Sequence, residues 1–403
     1  MISVHLTFKF SFCIVKDPII IIEENRDCLI AFNIFLYIVP ILQNITDIFY
    51  IKMNVTESVQ TVLGRIRLPE LGRVLTHEHV AVDFTAFYTA PPNRLTRFLN
   101  DQIKLHTLGL VKQYPYSNMY NIKFNDVETA YAVLEDLRLL RYFGGGTIVE
   151  NSSHGLKRDV LLMKTLSEKT GINIIAGTGF YVAKVQNAST LNLSIENMYN
   201  VIMKEMTEGC EECSLIKTGF IGEVGTSLPI EDFERRSIQA TAAAQAQLRC
   251  PVSFHPGRDS SLPAEIIRIY EEAGGDSRKA VMSHLDRTFT DKEALLEFAD
   301  DTRCYCQFDL FGTECSFYQL NPLVDMLSDA QRVDYVQILR DEGKLERVLM
   351  SHDIHTKHRL VNYGGHGYAH LFNNVLPKFR MRGFSEEEIE TLIVTNPKEW
   401  LFF

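Results

Sequence analysis

From about residue 60 onward the chain repeats one rhythm: a short apolar, β-branched run, a polar or glycine-containing tip, then a longer stretch with apolar residues at helical spacing. The runs lie at Arg73–Thr76, Gly146–Glu150, Ile172–Ala176, Gly219–Gly222, Pro251–Phe254, Lys279–Ser283, Tyr305–Phe308 and Arg347–Ser351. Helix-patterned segments fall between them, at Val127–Tyr142, Ser194–Glu208, Glu234–Leu248, Pro263–Glu272 and Asp291–Ala299, the last with Thr290 as its expected N-cap. Eight strands alternating with helices over roughly 300 residues predict a parallel (β/α)8 TIM barrel rather than an open sheet. The stretch Phe84–Asp126, with Pro91, Pro92 and many aromatics, offers no strand of its own. It is expected to be a loop or helical insertion on the side where such barrels keep their active sites.

Composition narrows the function classes. The formal charge is −10 and no dense Lys/Arg run occurs, which disfavours a nucleic-acid partner. The eight cysteines are too sparse for a disulfide scaffold, so reduced thiols in a cytoplasmic protein are expected. Residues 1–52 break the pattern: they are rich in Ile and Phe, and Cys28–Leu42 is a near-continuous apolar run interrupted by Asn33 and Pro40. That run falls short of the ~20 residues a membrane-spanning helix needs. Residues 1–52 are expected to be an extension outside the fold, with the barrel domain at 53–403 and no membrane association unless the extension acts as an anchor.

The strand tips carry the chemistry. Strand one ends in Thr76-His77-Glu78-His79, strand four in Gly222-Glu223-Val224-Gly225, and strand five in Phe254-His255-Pro256-Gly257. Strand six ends in Ser283-His284-Leu285-Asp286, and strand eight in Ser351-His352-Asp353. Two histidines two apart on a strand point to the same face and can reach one ion. Singly, each tip is more often a structural cap or a loop histidine. Together, tips at the C-terminal ends of five barrel strands converge. A small molecule is the expected partner, and a homodimer is compatible with the sequence.

His77-x-His79, Glu223, His255, His284 and Asp353, in that order on strands one, four, five, six and eight, resemble the binuclear site of the phosphotriesterase branch of the amidohydrolase superfamily. Leu75–His79, Ser253–Arg258 and Met350–His355 look like its animal phosphotriesterase-related group in particular. The resemblance covers essentially residues 55–403. It implies two divalent cations, zinc expected, with His77, His79 and Asp353 on one ion, His255 and His284 on the other, and Glu223 shared. A bridging hydroxide would attack the substrate, with Asp353 passing the proton to the leaving group. The branch's best-known members bridge their metals with a carboxylated lysine. Lys217 is the competitor here, but it lies six residues before Glu223, about 20 Å down the strand. The resemblance also implies hydrolysis of a small amide, an N-acyl amino acid such as N-acetyltaurine. Phosphotriester or lactone hydrolysis is the alternative enzyme reading, and a catalytically silent binding barrel the other class.

An anionic amide wants a cation near the metals, and Arg258 is the expected one, with Tyr181 and His366 as further pocket residues. Each has a plainer reading: a loop ion pair for Arg258, packing for Tyr181, a turn for the loop of His366. Cys210-x-x-Cys213 reads as two unrelated thiols at a helix end, and Cys304-x-Cys306 as packing in strand seven. His352 should face away from Asp353, and His355 and His358 read as loop residues.

Overall fold

All eight apolar runs become strands of one parallel sheet. Barrel strands one to eight are β3 (Arg73–Glu78), β6 (Gly145–Glu150), β7 (Asn173–Thr178), β8 (Phe220–Gly225), β9 (Val252–His255), β10 (Ala280–Met282), β11 (Tyr305–Phe308) and β12 (Val348–Met350). They pair in chain order, each in parallel with the next, from β3 to β12. This computed structural model describes residues 57–403, so the expectations for residues 1–52 and for a domain start at Met53 lie outside the described residues. Between β12 and β3 no ladder forms, and the ring closes through isolated hydrogen bonds. The Asp353 N–H donates to His77 O at 3.0 Å, and the Thr76 hydroxyl donates to Met350 O at 3.2 Å.

The helices begin where side chains can satisfy free N–H groups. Asp126 caps Val127–Tyr142, Ser194 caps Ile195–Thr207, and a Glu231/Glu234 capping box opens Asp232–Leu248. The helix expected to follow Thr290 is capped by Asp291 instead, whose carboxylate accepts from Glu293 N, and runs Lys292–Thr302. Two strand pairs were not expected. A hairpin of β1 (Ser58–Thr61) and β2 (Gly64–Arg67) precedes the barrel, and β4 (Val82–Asp83) pairs with β5 (Lys123–Phe124), inside the stretch read as strandless. Among the described residues no helix is long and apolar enough to cross a membrane.

The lower half of the barrel interior is apolar. Val74, Val149, Ile175, Phe220, Val281, Tyr305 and Leu349, one from each of seven strands, pack together with Val59 of the hairpin and with Trp400 and Leu401 of the helix Asn396–Leu401. These residues close the floor under the site.

Candidate metal centre

Alternation alone would not build this site. Counting by twos from the inward Val74 reaches Thr76 and Glu78, yet the histidines beside them face the barrel axis. The pairing of β3 with β6 shifts register between Leu75 and Glu78, and that of β8 with β9 shifts between Ile221 and Val224. Such irregularities re-aim side chains near active sites. Here they turn His77, His79 and Glu223 inward.

The six expected ligands come together. His77 Nε2 lies 3.6 Å from a Glu223 oxygen and 3.7 Å from Asp353 Oδ1. His79 Nε2 is 3.1 Å from the same Asp353 oxygen, and His284 Nε2 is 3.5 Å from Glu223 Oε2. His255 Nδ1 sits 2.9 Å from both Glu223 Oε2 and His284 Nε2. Two triads have ligand atoms close enough to share an ion: His77, His79 and Asp353, and His77, Glu223 and His284. Lys217 is not among them; its ammonium donates to Thr207 O before β8 begins.

The side chains fit cations. Nε2 of His77 and Nε2 of His79 are buried, and among the described residues neither makes a well-aligned hydrogen bond, His79 Nε2 only adjoining the Asp353 carboxylate. Each such atom costs about 1–3 kcal/mol unless something takes its lone pair. Their other nitrogens are held: His77 Nδ1 by Ser283 Oγ, which accepts from Gln307 Nε2, and His79 Nδ1 by Ser152 Oγ, which donates on to Glu150. His284 Nδ1 is 2.7 Å from Asp309. Fixing one ring nitrogen so that the other points at a common spot is how metal-binding histidines are oriented. Burial lowers the His77 pKa to about 3 and pushes the Glu223 carboxyl up. Burial would lower His79 as well, but the adjoining Asp353 carboxylate, with Glu223 and Glu150, outweighs it and raises His79 to about 9. Negative charge thus crowds a dry site, which cations would offset. His284 and Asp353 hold left-handed backbone at φ 58° and 53°, a conformation that costs a non-glycine residue about 1–3 kcal/mol and persists where surroundings impose it.

Above the cluster opens a pocket lined by Phe84, Tyr116, Tyr181, Arg258, Arg287 and Tyr318. The Tyr181 hydroxyl lies 3.2 Å from His255 Nε2. Arg258 Nε donates to the Tyr318 hydroxyl at 2.9 Å. His366 is elsewhere: its Nε2 accepts from Arg359 Nε at 3.3 Å, and it lines a neighbouring cavity with Asp329 and His370. The expectation that it lines the same pocket is corrected: Arg359, which lines both cavities, stands between His366 and the metal cluster. His355, read as a mere loop residue, is in the pocket wall, bonded to Asp353 O and to the Tyr116 hydroxyl. His352 turns away from the centre onto Glu78. The sequence reading also missed Glu150 and Asp309, carboxylates at the tips of barrel strands two and seven, although the tip signal that marked Glu223 was there for both. Arg287, three residues beyond His284, carried no such signal.

A model of the phosphotriesterase family matches residues 57–401. A phosphotriesterase-related protein of Aedes aegypti is 51% identical over 350 residues, covering 85% of this chain and 98% of that one. One from Drosophila persimilis is 51% identical over 347 residues, 86% of this chain and 99% of that one. Among solved structures, a resiniferatoxin-binding protein from Rhodobacter sphaeroides superposes with a TM-score of 0.81 at 29% identity, over 86% of this chain and 95% of that one. A phosphotriesterase homology protein from Escherichia coli, complexed with phosphate in its active site, gives 0.67 at 24% identity over 82% of this chain and 99% of that one, a likeness of fold alone.

Proposed function

The chain belongs to the phosphotriesterase family, and we propose that it is a metal-dependent hydrolase of small anionic amides, N-acylated amino acids and N-acetyltaurine among them. The observation that carries the substrate class is a pair of guanidiniums without carboxylates. Arg258 and Arg287 lie 5.5 and 5.7 Å from the centroid of the Tyr318 ring. The remaining polar contacts of Arg287 are the carbonyls of Pro256 and Gly257 and the His255 ring. Among the described residues neither arginine has a carboxylate among its side-chain hydrogen-bond partners. Arg287 is buried and Arg258 half-buried; a cation out of water with no counter-charge is costly, and a carboxylate or sulfonate on the substrate offsets that cost.

His77, His79 and Asp353 would hold one divalent cation and His255 and His284 the other, with Glu223 shared and zinc the metal proposed. Bound cations supply a water acidified towards neutral pH and polarise the scissile carbonyl. Asp353 takes the proton of the attacking water and returns it to the leaving nitrogen as the C–N bond breaks. Arg258 and Arg287 hold the anionic end of the substrate, while Phe84, Tyr116 and Tyr181 exclude bulk water.

The test is a hydrolysis screen with the metal-loaded chain over N-acyl amino acids, N-acetyltaurine, lactones and phosphotriesters. Anionic amides should turn over best, and capping their acid group should cut kcat/KM. Faster turnover of uncharged lactones or phosphotriesters would overturn the assignment, and no turnover of any class would leave a binding barrel.

A further inference from the structure

The barrel seam, where no ladder joins β12 to β3, is bridged by a buried carboxylate. Glu78 Oε1 accepts from Ser351 Oγ at 2.7 Å, from His352 N at 2.9 Å and from His352 Nδ1 at 2.8 Å, while Oε2 accepts from Ile354 N at 3.0 Å. The Leu371 N–H donates to His352 Nε2, so the ring proton is on Nδ1 and donates to Glu78. On the other side of the same backbone, Arg359 donates through Nη1 to Asp353 O at 2.6 Å and through Nη2 to His352 O. Glu78 and Arg359 are both buried, and among the described residues neither has an oppositely charged side chain within ion-pair distance, the His352 ring on Glu78 being neutral. Their charges face each other through the peptide groups of residues 352–354.

We infer that Glu78 and Arg359 are positioning residues that clamp the Asp353 loop, the carboxylate by its N–H groups and the guanidinium by its carbonyls. The clamp explains how Asp353 keeps a left-handed φ of 53°, which its own side chain disfavours. It holds both peptide groups flanking Asp353, so rotation of that residue must break a charge-assisted bond on one side or the other. The inference rests on the proposed role of Asp353, and it adds a mechanical one for two residues outside the proposed ligand set, of which Arg359 also reaches the pocket wall.

The variants are Glu78→Gln and Arg359→Lys in the metal-loaded chain, with Asp353→Asn beside them. Glu78→Gln puts an amide donor where either Ile354 N–H or the His352 and Ser351 donors must be accepted. Arg359→Lys leaves one donor head for two divergent carbonyls. Each should lower kcat about 10- to 100-fold, the usual effect of residues that orient a metal site, while KM changes less than about threefold. Amide hydrogen exchange at His352 and Ile354 should speed up in Glu78→Gln. A kcat within threefold of wild type in either folded variant overturns the clamp, as does a loss of activity explained wholly by a smaller folded fraction. If Glu78→Gln does not fold, Arg359→Lys decides alone. With Asp353→Asn inactive, failure of the clamp leaves the hydrolase reading standing; a fully active Asp353→Asn overturns both.

Discussion

At the lower end of the barrel the inward side chains are Val74, Phe220, Val281 and Leu349; three or four residues further along the same strands they are His77, Glu223, His284 and Asp353. Below, mostly apolar side chains pack against Trp400, whose indole N–H donates to Lys279 O. Above, two ring nitrogens make no well-aligned hydrogen bond among the described residues, and two residues hold left-handed backbone. The lower end stabilises the ring, and the upper end is held in an unfavourable arrangement by it. Substitutions at the two ends should therefore separate activity from stability.

The largest expected effect is at the top. Glu223→Gln should reduce turnover about 10^3-fold or more, because a neutral amide cannot balance two cations, and should lower metal content from about two ions per chain. Its folding midpoint without metal should not fall, since the substitution removes a buried charge. Lys217→Met should keep turnover, and added bicarbonate should change neither protein. An active Glu223→Gln beside a dead Lys217→Met would reverse the assignment of the shared ligand.

Next is the floor. Trp400→Ala should cost about 3–5 kcal/mol in denaturant unfolding while the folded enzyme keeps its kcat/KM. A change in KM without loss of stability would mean that the two ends are not separable. A smaller effect is expected in the pocket: Arg258→Met should raise KM for an anionic amide about 10-fold and leave an uncharged analogue unaffected. The smallest lies outside both ends. Burial raises Asp136, on the helix Val127–Tyr142, to about 7, against one hydrogen bond from Val361 N. The folded state thus binds this proton more tightly than the unfolded chain, so its contribution to stability is full at pH below about 4 and is lost as pH rises to 7. Asp136→Asn should flatten the fall in stability between pH 5 and pH 7, by less than the roughly 1.4 kcal/mol per pH unit that one proton allows.

The strands were legible because each is a buried parallel run, and such runs stay apolar whatever register they take. The hairpin Ser58–Arg67 was not, because β2 alternates between exposed and half-buried positions and presents no apolar run. The converging tips were legible as residue types. Their aim was not: simple alternation also aligned Lys217 with Glu223, and only the register shift in β8 shows that such counting fails there. Glu78 stood in plain view between two histidines, but its partners lie 273 to 276 residues away and leave no local pattern. His355 follows the left-handed Asp353, where strand alternation no longer says which way a side chain points.

The closed floor has a kinetic consequence. With Trp400, Leu401 and the inward ring of Val, Ile and Phe side chains sealing one end, the barrel is a blind well rather than a tunnel. Among the described residues the opening lies past Phe84, Tyr116 and Tyr318, which substrate, water and both hydrolysis products would then share. On the proposed reading, a product still held by the arginines would bar the next arrival, so the anionic product should inhibit competitively with substrate, and its departure would set the pace of the cycle.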